Sequence, residues 1–405
     1  MVRVLQAARH PWVKRRASLA SGVLVALLLS ACSGTNNPFG EIASPAPPAQ
    51  PQQQPAAIGT GQVKVGLILP LSAPGNAGQV GQSMRNAAEL AIAEFNNPNL
   101  QLLVKDDGGT PPGAQQAAQQ ALDEGAEVIL GPLFAQSVQA AGQVARSRNV
   151  PVIAFSTDAN AASQGVYLLS FLPETDVDRV VDYAASIGKR SYVALVPDNP
   201  YGGVVEAELR QYVARKGGRV VTAERYPSDP GRMQSVVPAV AQAAGSADAL
   251  FMPGDGDSVP ALAQALAAGG VNLKRLQPLG TGLWDDSRVF AEPNLQGGLY
   301  AGPDPNSPNN FRAFAARYRA RYGAEPARTA TLAYDAVALI AALIRAQGPH
   351  SITDAVLTNP SGYAGIDGVF RFRADGTNQR GLAVLRVTPK GGVVVSPAPR
   401  SFGGT

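Results

Sequence analysis

Short apolar runs alternate with segments of helical periodicity along most of the chain. The run Val63–Leu69 is typical of a strand buried on both faces of a parallel sheet. In Gly81–Phe95 apolar residues recur at intervals of three and four, which predicts a helix. The alternation continues with predicted strands at Leu100–Val104, Val128–Leu130 and Val152–Phe155 and predicted helices at Ala114–Asp123 and Ser137–Arg146. This pattern predicts a doubly wound α/β lobe with a parallel sheet.

A second series of the same kind begins near Asp176 and ends near Leu279. Its predicted elements are Asp176–Ile187, Tyr192–Val196, Val204–Arg215, Arg219–Ala223, Met233–Ala243, Ala249–Met252, Pro260–Ala268 and Leu276–Leu279. The strands Val65–Leu69 and Tyr192–Val196 each lead through a turn containing Pro, Gly and Asn into a helix, which is consistent with duplication. Two series predict two α/β lobes with a cleft between them, where ligands most often bind.

After Pro303 the chain returns to helical periodicity. The predicted helices Phe311–Tyr322 and Thr329–Ala346 are long enough to cover sheet faces. Strand-like segments follow at Val369–Phe372 and Leu382–Val387. These pieces must pack on one lobe or the other, so we expect several crossovers between the lobes.

Residues 1–31 have the three parts of a secretory signal peptide. A basic group, Lys14 to Arg16, precedes the apolar stretch Ala17–Leu29, and Ser30-Ala31 then leads to Cys32. The ending resembles the bacterial lipobox, in which the cysteine is acylated and becomes the new N-terminus. We therefore expect a periplasmic protein anchored to a membrane through acylated Cys32. Ser33 stands where an inner-membrane retention signal would place Asp, which favours the outer membrane.

The net charge gives no reason to expect a nucleic-acid partner. The chain of 405 residues is 45% hydrophobic and 16% charged, an ordinary globular composition with a formal charge of +4. Residues 1–31 contain five basic residues and no acidic one, so the rest of the chain is nearly neutral. The segment 32–62 is rich in Pro, Gln and Ala and is predicted to be a linker that reaches roughly 90 Å if extended.

Few residues are available for catalysis or metal binding. Cys32 is the single cysteine, and once the leader is removed His350 is the single histidine. A Ser-His-Asp triad would depend on His350, beside Gly348 and Pro349 in a predicted surface turn, and no G-x-S-x-G motif is present. Cys/His zinc sites are excluded by count. The adjacent acids Asp106 and Asp107 are predicted to cap a turn or to bind a ligand ammonium group. We expect no enzyme activity, no cofactor and no metal.

Hydroxyl groups at the starts of predicted helices are the better ligand candidates. Ser137 is placed to cap the helix after Gly131-Pro132-Leu133, or to bind a ligand there. Ser156 and Thr157 follow the strand Val152–Phe155 at its carboxyl end. Helix N-termini favour carboxylates because their N–H groups are free and the helix dipole is positive there.

Several phrases resemble the type I periplasmic binding proteins, and among them the leucine/isoleucine/valine-binding family. They are Val65-Gly66-Leu67-Ile68-Leu69-Pro70-Leu71-Ser72, Leu130-Gly131-Pro132, Val150-Pro151-Val152-Ile153, Asp198-Asn199-Pro200-Tyr201-Gly202 and Arg321-Tyr322-Gly323. The resemblance implies two lobes joined by three crossovers. The expected first lobe is 63–175 plus 303–350, and the expected second lobe is 176–302 plus 351–395.

The resemblance does not carry over the family's amino-acid site intact. The serine that holds the substrate carboxylate falls near Ala135, the threonine near Asp158, and two aromatic residues near Val80 and Asp255. These changes argue against a free α-amino acid as the ligand, since they remove a hydrogen bond and add a negative charge. The expected cleft residues are Ser137, Ser156, Thr157, Asp158, Tyr201, Asp255 and Tyr334.

Two further phrases resemble the penicillin-binding protein activators, which are lipoproteins of this fold. They are Gly131-Pro132-Leu133-Phe134-Ala135-Gln136-Ser137-Val138 and Gly280-Thr281-Gly282-Leu283-Trp284-Asp285-Asp286. This resemblance implies a non-catalytic protein that regulates a peptidoglycan synthase by contact. The alternative is the substrate-binding subunit of an ABC importer, whose partners would be a permease and a small solute such as an amino acid.

Overall fold

The computed structural model describes residues 57–96, 98–227 and 229–402. The predicted signal peptide, the acylation of Cys32 and nearly all of the linker lie outside these residues.

The first sheet has six strands and is parallel except at one edge. Its strands are β1 (Ala57–Ile58), β2 (Val63–Leu69), β3 (Leu100–Asp106), β4 (Val128–Leu130), β5 (Val152–Ala154) and β6 (Val166–Leu168), with helices α1 (Asn76–Glu94), α2 (Pro111–Asp123) and α3 (Ala135–Ser147). The spatial order is β1-β3-β2-β4-β5-β6, and only β1 pairs antiparallel.

The second sheet has seven strands, five of them from the second βαβ series. They are β7 (Ser191–Pro197), β8 (Arg219–Tyr226), β9 (Ala249–Phe251), β10 (Gln277–Gly280) and β11 (Leu299–Gly302). The helices of this part are α4 (Pro173–Ser186), α5 (Pro200–Arg215), α6 (Pro230–Met233), α7 (Val237–Ala244), α8 (Val259–Ala268) and α9 (Ser287–Ala291).

The C-terminal part of the chain serves both lobes. Its elements are α10 (Phe311–Tyr322), α11 (Ala330–Gln347), α12 (Asp354–Leu357), β12 (Tyr363–Gly365), β13 (Gly368–Phe372), β14 (Asn378–Arg380), β15 (Ala383–Thr388) and β16 (Gly391–Ser396). Strands β12, β13 and β14 form a small antiparallel sheet. Strand β15 pairs antiparallel with β11 and with β16, which completes the second sheet in the order β16-β15-β11-β10-β9-β7-β8.

Both lobes use one strand order. Counted along each series, the parallel strands lie in the order 2-1-3-4-5, as β3-β2-β4-β5-β6 and as β8-β7-β9-β10-β11. The strand order therefore reverses between the first and third strands of each series, β2 and β4 in one lobe and β7 and β9 in the other. Ligands of open α/β sheets bind at this switch point, outside the carboxyl ends of the strands.

The strands are apolar because both faces of each sheet are covered. In β2, Leu67 packs in a core with residues of α1 and α11, whereas the adjacent Ile68 packs in a core with residues of α2 and α3. Successive side chains of a strand point to opposite faces, so a strand covered on both sides carries no polar alternation. The predicted class, two doubly wound parallel-sheet lobes, is confirmed.

The sequence predicts that the chain returns to the second lobe at residue 351. In the structure this return occurs later. Ile352, Leu357, Phe370 and Phe372 are buried in the core that contains Leu67. The Phe372 ring lies 5.4 Å from the ring of Tyr167 in β6, centroid to centroid. The crossover therefore lies between Arg380 and Ala383, where β14 of the small sheet is followed by β15. Apolar alternation predicted these strands but did not indicate which sheet they join.

The predicted helix Met233–Ala243 is interrupted. The segment divides into α6, a short 3-10 turn at Gln234–Val236, and α7. Pro238 lies in the first turn of α7, where its missing N–H costs nothing, whereas the same residue would break a continuous helix. The strands β6 and β11 are short, and the sequence analysis missed both.

Within the described ranges one helix, Ala330–Gln347, is long and apolar enough to cross a membrane. Most of its residues are buried, and it packs against α1 in the core of the first lobe. Its apolar character is explained by this burial.

Candidate ligand site at the carboxyl edges of the two sheets

The loops at the two switch points supply the candidate site. In the first lobe they follow β2 and β4, and in the second lobe they follow β7 and β9. A cavity of about 500 Å³ adjoins the loop after β2 and is lined by Ser72, Gln82 and Tyr318 among others. The Oε1 atom of Gln82 is buried there without a hydrogen-bond partner.

The segment after β5 carries three of the predicted site residues. Ser156 is buried, and its Oγ accepts the backbone N–H of Asp158 at 3.1 Å. Thr157 and Asp158 are exposed. The Oδ1 of Asp158 accepts the backbone N–H of Asn160 at 2.9 Å, so this carboxylate starts a short helical turn. The carboxyl edge of the first sheet therefore presents a hydroxyl and a negative charge.

Ser137 does not cap helix α3. The helix begins at Ala135 with Phe134 at its N-cap, so Ser137 lies inside the first turn. The side chain is fully buried, and its Oγ has no hydrogen-bond partner. The capping interpretation is wrong because the helix starts two residues earlier than the sequence suggested.

The adjacent acids Asp106 and Asp107 point apart. The Oδ1 of Asp106 accepts the N–H groups of Ser72 at 3.2 Å and Gly108 at 2.9 Å, which ties the loop after β2 to the loop after β3. Asp107 is buried, its Oδ1 accepts the N–H of Gly109 at 2.8 Å, and burial raises its pKa. Both side chains therefore order loops at the edge of the sheet.

Tyr201 lies in the first turn of α5, at the switch point of the second lobe. Its hydroxyl lies 2.9 Å from Thr281 Oγ1 and donates to the carbonyl of Pro253 at 3.0 Å, which joins the loops after β9 and β10 to α5. Burial raises its pKa above the usual value for a tyrosine. The hydroxyl is therefore neutral and serves as a hydrogen-bonding group.

Asp255 organises the loop that starts α8. It is exposed, and its Oδ1 accepts N–H groups from Asp257 at 3.2 Å and Ser258 at 3.0 Å and the Ser258 hydroxyl at 2.8 Å. Ser258 in turn lies 3.1 Å from the hydroxyl of Tyr226. Asp255 therefore adds negative charge to the carboxyl edge of the second sheet.

Two large apolar side chains are exposed on segments that follow strands, one at the switch point of the first lobe and one after β10 of the second. Phe134, after β4, is 38% exposed, and Leu283, after β10, is 46% exposed. The ring of Phe134 covers Gly109, where an added Cβ would lie only 3.3 Å from it. Each lobe therefore presents one exposed large apolar side chain near the polar groups of its carboxyl edge.

The residue that follows Leu283, Trp284, is packed in the core of the second lobe. It is fully buried, and its Nε1 donates to the carbonyl of Met252 at 2.8 Å. Gly280, the last residue of β10, has to be glycine because a Cβ would lie 2.2 Å from the indole ring. The rim position of Leu283 is therefore set by a packed core residue.

Tyr334 lies in the helical layer of the first lobe. Its hydroxyl donates to Glu94 Oε2 at 2.5 Å, and its ring packs edge-on against Phe314 at 5.5 Å. The guanidinium of Arg317 lies 5.9 Å from the ring centroid. These partners belong to α1 and α10, so Tyr334 has a packing role that the sequence did not indicate.

Two carboxyl groups near Arg380 are desolvated, one in a partly buried residue, Asp176, and one in a buried residue, Asp335. Asp176, in the first turn of α4, accepts the N–H of Gly282 at 2.8 Å, and burial raises its pKa to about 7. Asp335, in α11, accepts the N–H of Ile366 at 2.9 Å, and burial raises its pKa to about 8. At neutral pH Asp335 is therefore mostly protonated, and Asp176 is about half protonated.

Several residues near the site were not singled out by the sequence analysis. Thr281, Phe134 and Leu283 stood inside the quoted phrases, but nothing in the sequence showed that their side chains reach the edge of a sheet. Asp176 and Arg380 carried no local signal at all. Their importance depends on burial, and burial is set by distant parts of the chain.

The remaining candidates for metal binding or catalysis were His350 and the acidic side chains. No group of three or more His, Cys, Asp or Glu side chains that could hold a metal ion occurs among the described residues. His350 is exposed, and its Nδ1 lies 2.9 Å from Glu127 Oε2. It follows α11 and lies outside the switch-point loops.

A family model described as periplasmic binding protein matches residues 62–392. The chain belongs to the periplasmic binding protein family. Its fold is that of the type I members, the leucine/isoleucine/valine-binding group. The family consists of extracytoplasmic solute-binding proteins. An uncharacterized protein of Rickettsia prowazekii is 17% identical over 176 residues, a match that spans 44% of this chain and 46%, about half, of that protein.

Solved structures of transporter components share the fold of this periplasmic binding protein. A putative branched-chain amino acid ABC transporter protein from Rhodospirillum rubrum has a TM-score of 0.73 at 21% identity, covering 82% of this chain and 99% of that one. A leucine-binding protein from Thermotoga maritima has a TM-score of 0.59 at 18% identity, covering 83% and 98%. A solute-binding protein of R. palustris in complex with benzoate has a TM-score of 0.58 at 20% identity, covering 85% and 98%.

Proposed function

We propose that this protein is the recognition component of an envelope uptake system and holds a small solute between its lobes for an ABC permease. The observation that carries the proposal is the exposure of Phe134 and Leu283 on loops at the carboxyl edges of the two sheets. Each lobe thus offers an apolar contact beside hydrogen-bonding groups, which is the usual composition of a small-molecule site. We propose no catalytic step.

The ligand we propose is not a free α-amino acid. Ala135 replaces the hydroxyl that would bind the substrate carboxylate, and Asp158 brings an exposed negative charge to the same edge. Loss of one such hydrogen bond costs about 1 to 3 kcal/mol. The R. palustris protein of this fold was solved with benzoate, so the architecture accommodates ligands with an aromatic body.

The test uses three matched surface variants. Phe134→Ser and Leu283→Ser remove the two rim contacts, and Val393→Ser removes a somewhat more exposed apolar group on strand β16, away from the switch points. The purified protein is screened by thermal shift against amino acids, amides, aromatic acids and peptidoglycan fragments. A ligand at about 100 times its Kd adds roughly 2.7 kcal/mol to the free energy of unfolding.

We expect one compound class to raise the melting temperature by several degrees. The shift should shrink in Phe134→Ser and Leu283→Ser and persist in Val393→Ser. Equal shifts in all three variants would show that the ligand binds elsewhere. A folded protein that responds to no compound would contradict solute binding.

The membrane anchor is also a proposal. We expect Cys32→Ser to leave the protein without acyl chains, because Cys32 is the only thiol available for a thioether link. Cell fractionation should then move the protein from the membrane to the soluble periplasm, whereas Ser33→Ala should stay with the outer membrane. Continued membrane association of Cys32→Ser would disprove the anchor.

A second candidate function is activation of a peptidoglycan synthase by contact. The observation in its favour is that Phe134 and Leu283 belong to the two phrases that resemble the penicillin-binding protein activators. A synthase from the same organism should then polymerise glycan faster when the protein is added, and both rim variants should reduce that stimulation while Val393→Ser should not. Unchanged synthase rates would reject this candidate.

A further inference from the structure

Arg380 is a buried cation with unused hydrogen-bond donors. The side chain is 4% exposed, and its Nε donates to the carbonyl of Ser170 at 2.8 Å. Both terminal nitrogens, Nη1 and Nη2, are buried and have no hydrogen-bond partner. Buried donors are nearly always satisfied in folded proteins, so this pair calls for an acceptor that the protein itself does not supply.

Aromatic rings hold the guanidinium in place. Its central carbon lies 4.7 Å from the ring centroid of Phe171 and 5.7 Å from that of Phe370. The guanidinium of Arg328 lies 4.6 Å from the centroid of the same Phe171 ring and 4.7 Å from that of Phe311. Cation–π contacts occupy the faces of a guanidinium and leave its N–H edge available for a planar acceptor.

The nearby carboxylates are engaged elsewhere. Asp367 accepts from Arg328 at 3.0 and 2.6 Å and from the Thr331 hydroxyl at 2.7 Å. Asp335 and Asp176 accept backbone N–H groups, and their raised pKa values leave Asp335 mostly neutral and Asp176 about half neutral at pH 7. The positive charge of Arg380 is therefore only partly compensated.

Arg380 lies between the carboxyl edges of the two sheets. The Oγ of Ser170, whose carbonyl accepts from Arg380, donates to the carbonyl of Phe155 at the end of β5. On the other side, the Asp176 carboxyl group lies close enough to Arg380 to attract it when ionised, and it accepts the N–H of Gly282, next to Leu283. Arg380 belongs to the last crossover between the lobes.

We infer that Arg380 binds the anionic group of the ligand, so that the solute is a carboxylate or similar planar anion whose apolar body contacts Phe134 and Leu283. This inference rests on the proposed solute-binding function and names its ligand class. A guanidinium fork binds a carboxylate through two parallel charge-assisted hydrogen bonds, which would satisfy both terminal nitrogens. Arg380 would then bind the carboxylate in place of the serine hydroxyl that is missing near Ala135.

The experiment titrates the full-length protein with sodium benzoate and with benzamide, its neutral counterpart, by calorimetry at pH 7. We compare the wild type with Arg380→Gln and Arg380→Lys. The control is Arg371→Gln, because Arg371 lies in the same small sheet and donates to Gln379 and to the Pro360 carbonyl. The melting temperature of each variant without ligand shows that it is folded.

We expect benzoate to bind the wild type and Arg371→Gln alike and benzamide to bind both far more weakly. Arg380→Gln should lose about tenfold or more in benzoate affinity, the loss expected for a charged hydrogen bond. Arg380→Lys should be intermediate because it keeps the charge but not the fork.

Equal benzoate affinity in Arg380→Gln and the wild type would overturn the inference. The inference would also be overturned if the wild type bound neutral compounds through Phe134 and Leu283 but did not bind benzoate. The proposed solute-binding function would be supported in that case. Failure of every compound in the screen would instead remove the proposed function itself.

Discussion

Trp284→Ala is expected to lower the free energy of unfolding by about 3 to 5 kcal/mol, the usual cost of truncating a buried large aromatic side chain. The indole is fully buried and donates a hydrogen bond to the Met252 carbonyl. The variant loses the packing around the ring and leaves that carbonyl without its donor. Guanidinium denaturation followed by circular dichroism measures the change.

The neighbouring residue provides the control. Leu283→Ala should change stability by less than about 1 kcal/mol because Leu283 is 46% exposed, but it should still weaken ligand binding. Trp284→Phe should be intermediate, since it keeps an aromatic ring and loses the N–H donor. Similar stabilities for Trp284→Ala and Leu283→Ala would contradict the packing described for this loop.

The second large effect is a loss of stability as the pH rises from 5 to 8. The pKa of Asp335 is raised to about 8 and that of Asp176 to about 7, from a model-peptide value of 3.8. Between these limits the folded protein holds protons that the unfolded chain has released, so unfolding becomes easier as pH rises. Each group contributes about 1 kcal/mol per pH unit in that window, and the effect levels off above the folded pKa.

Chemical denaturation at a series of pH values tests this expectation. Asp335→Asn should flatten the fall in stability up to pH 8, and Asp176→Asn should flatten it up to pH 7. The matched control is Asp255→Asn, because Asp255 is exposed on a loop. A protein whose stability rises from pH 5 to 8, or variants with the slope of the wild type, would show that these carboxyl groups are ionised in the folded state.

The elements of the fold could be predicted well because their signals are local. A strand covered on both faces reads as a continuous apolar run, as in Val63–Leu69, and a covering helix shows a period of three to four residues. Strands β1, β6, β11, β12, β14 and β16 were not predicted, and length alone does not explain this, because β4 is as short as β6 and was predicted.

The candidate site was predicted in part. Ser156, Asp158 and Asp255 do lie on loops that follow strands, and Tyr201 lies in the first turn of the helix after β7, because the position of a strand end is set by local sequence. Tyr334 does not lie at a strand end, because its helix packs against α1 and its hydroxyl donates to Glu94. Whether a side chain on a helix faces a cleft or another helix depends on the partner helix.

Periodicity and composition do not depend on any contact, so the two α/β lobes, their order along the chain and the scarcity of Cys and His followed from the sequence. The folded structure was needed to assign Phe370 and Phe372 to the first lobe, to show that Phe134 and Leu283 are exposed, and to show that Arg380 is buried with unpartnered donors. Each of these depends on residues far apart in sequence, such as Ser170 and Arg380, which come together only when the crossovers between the lobes have formed.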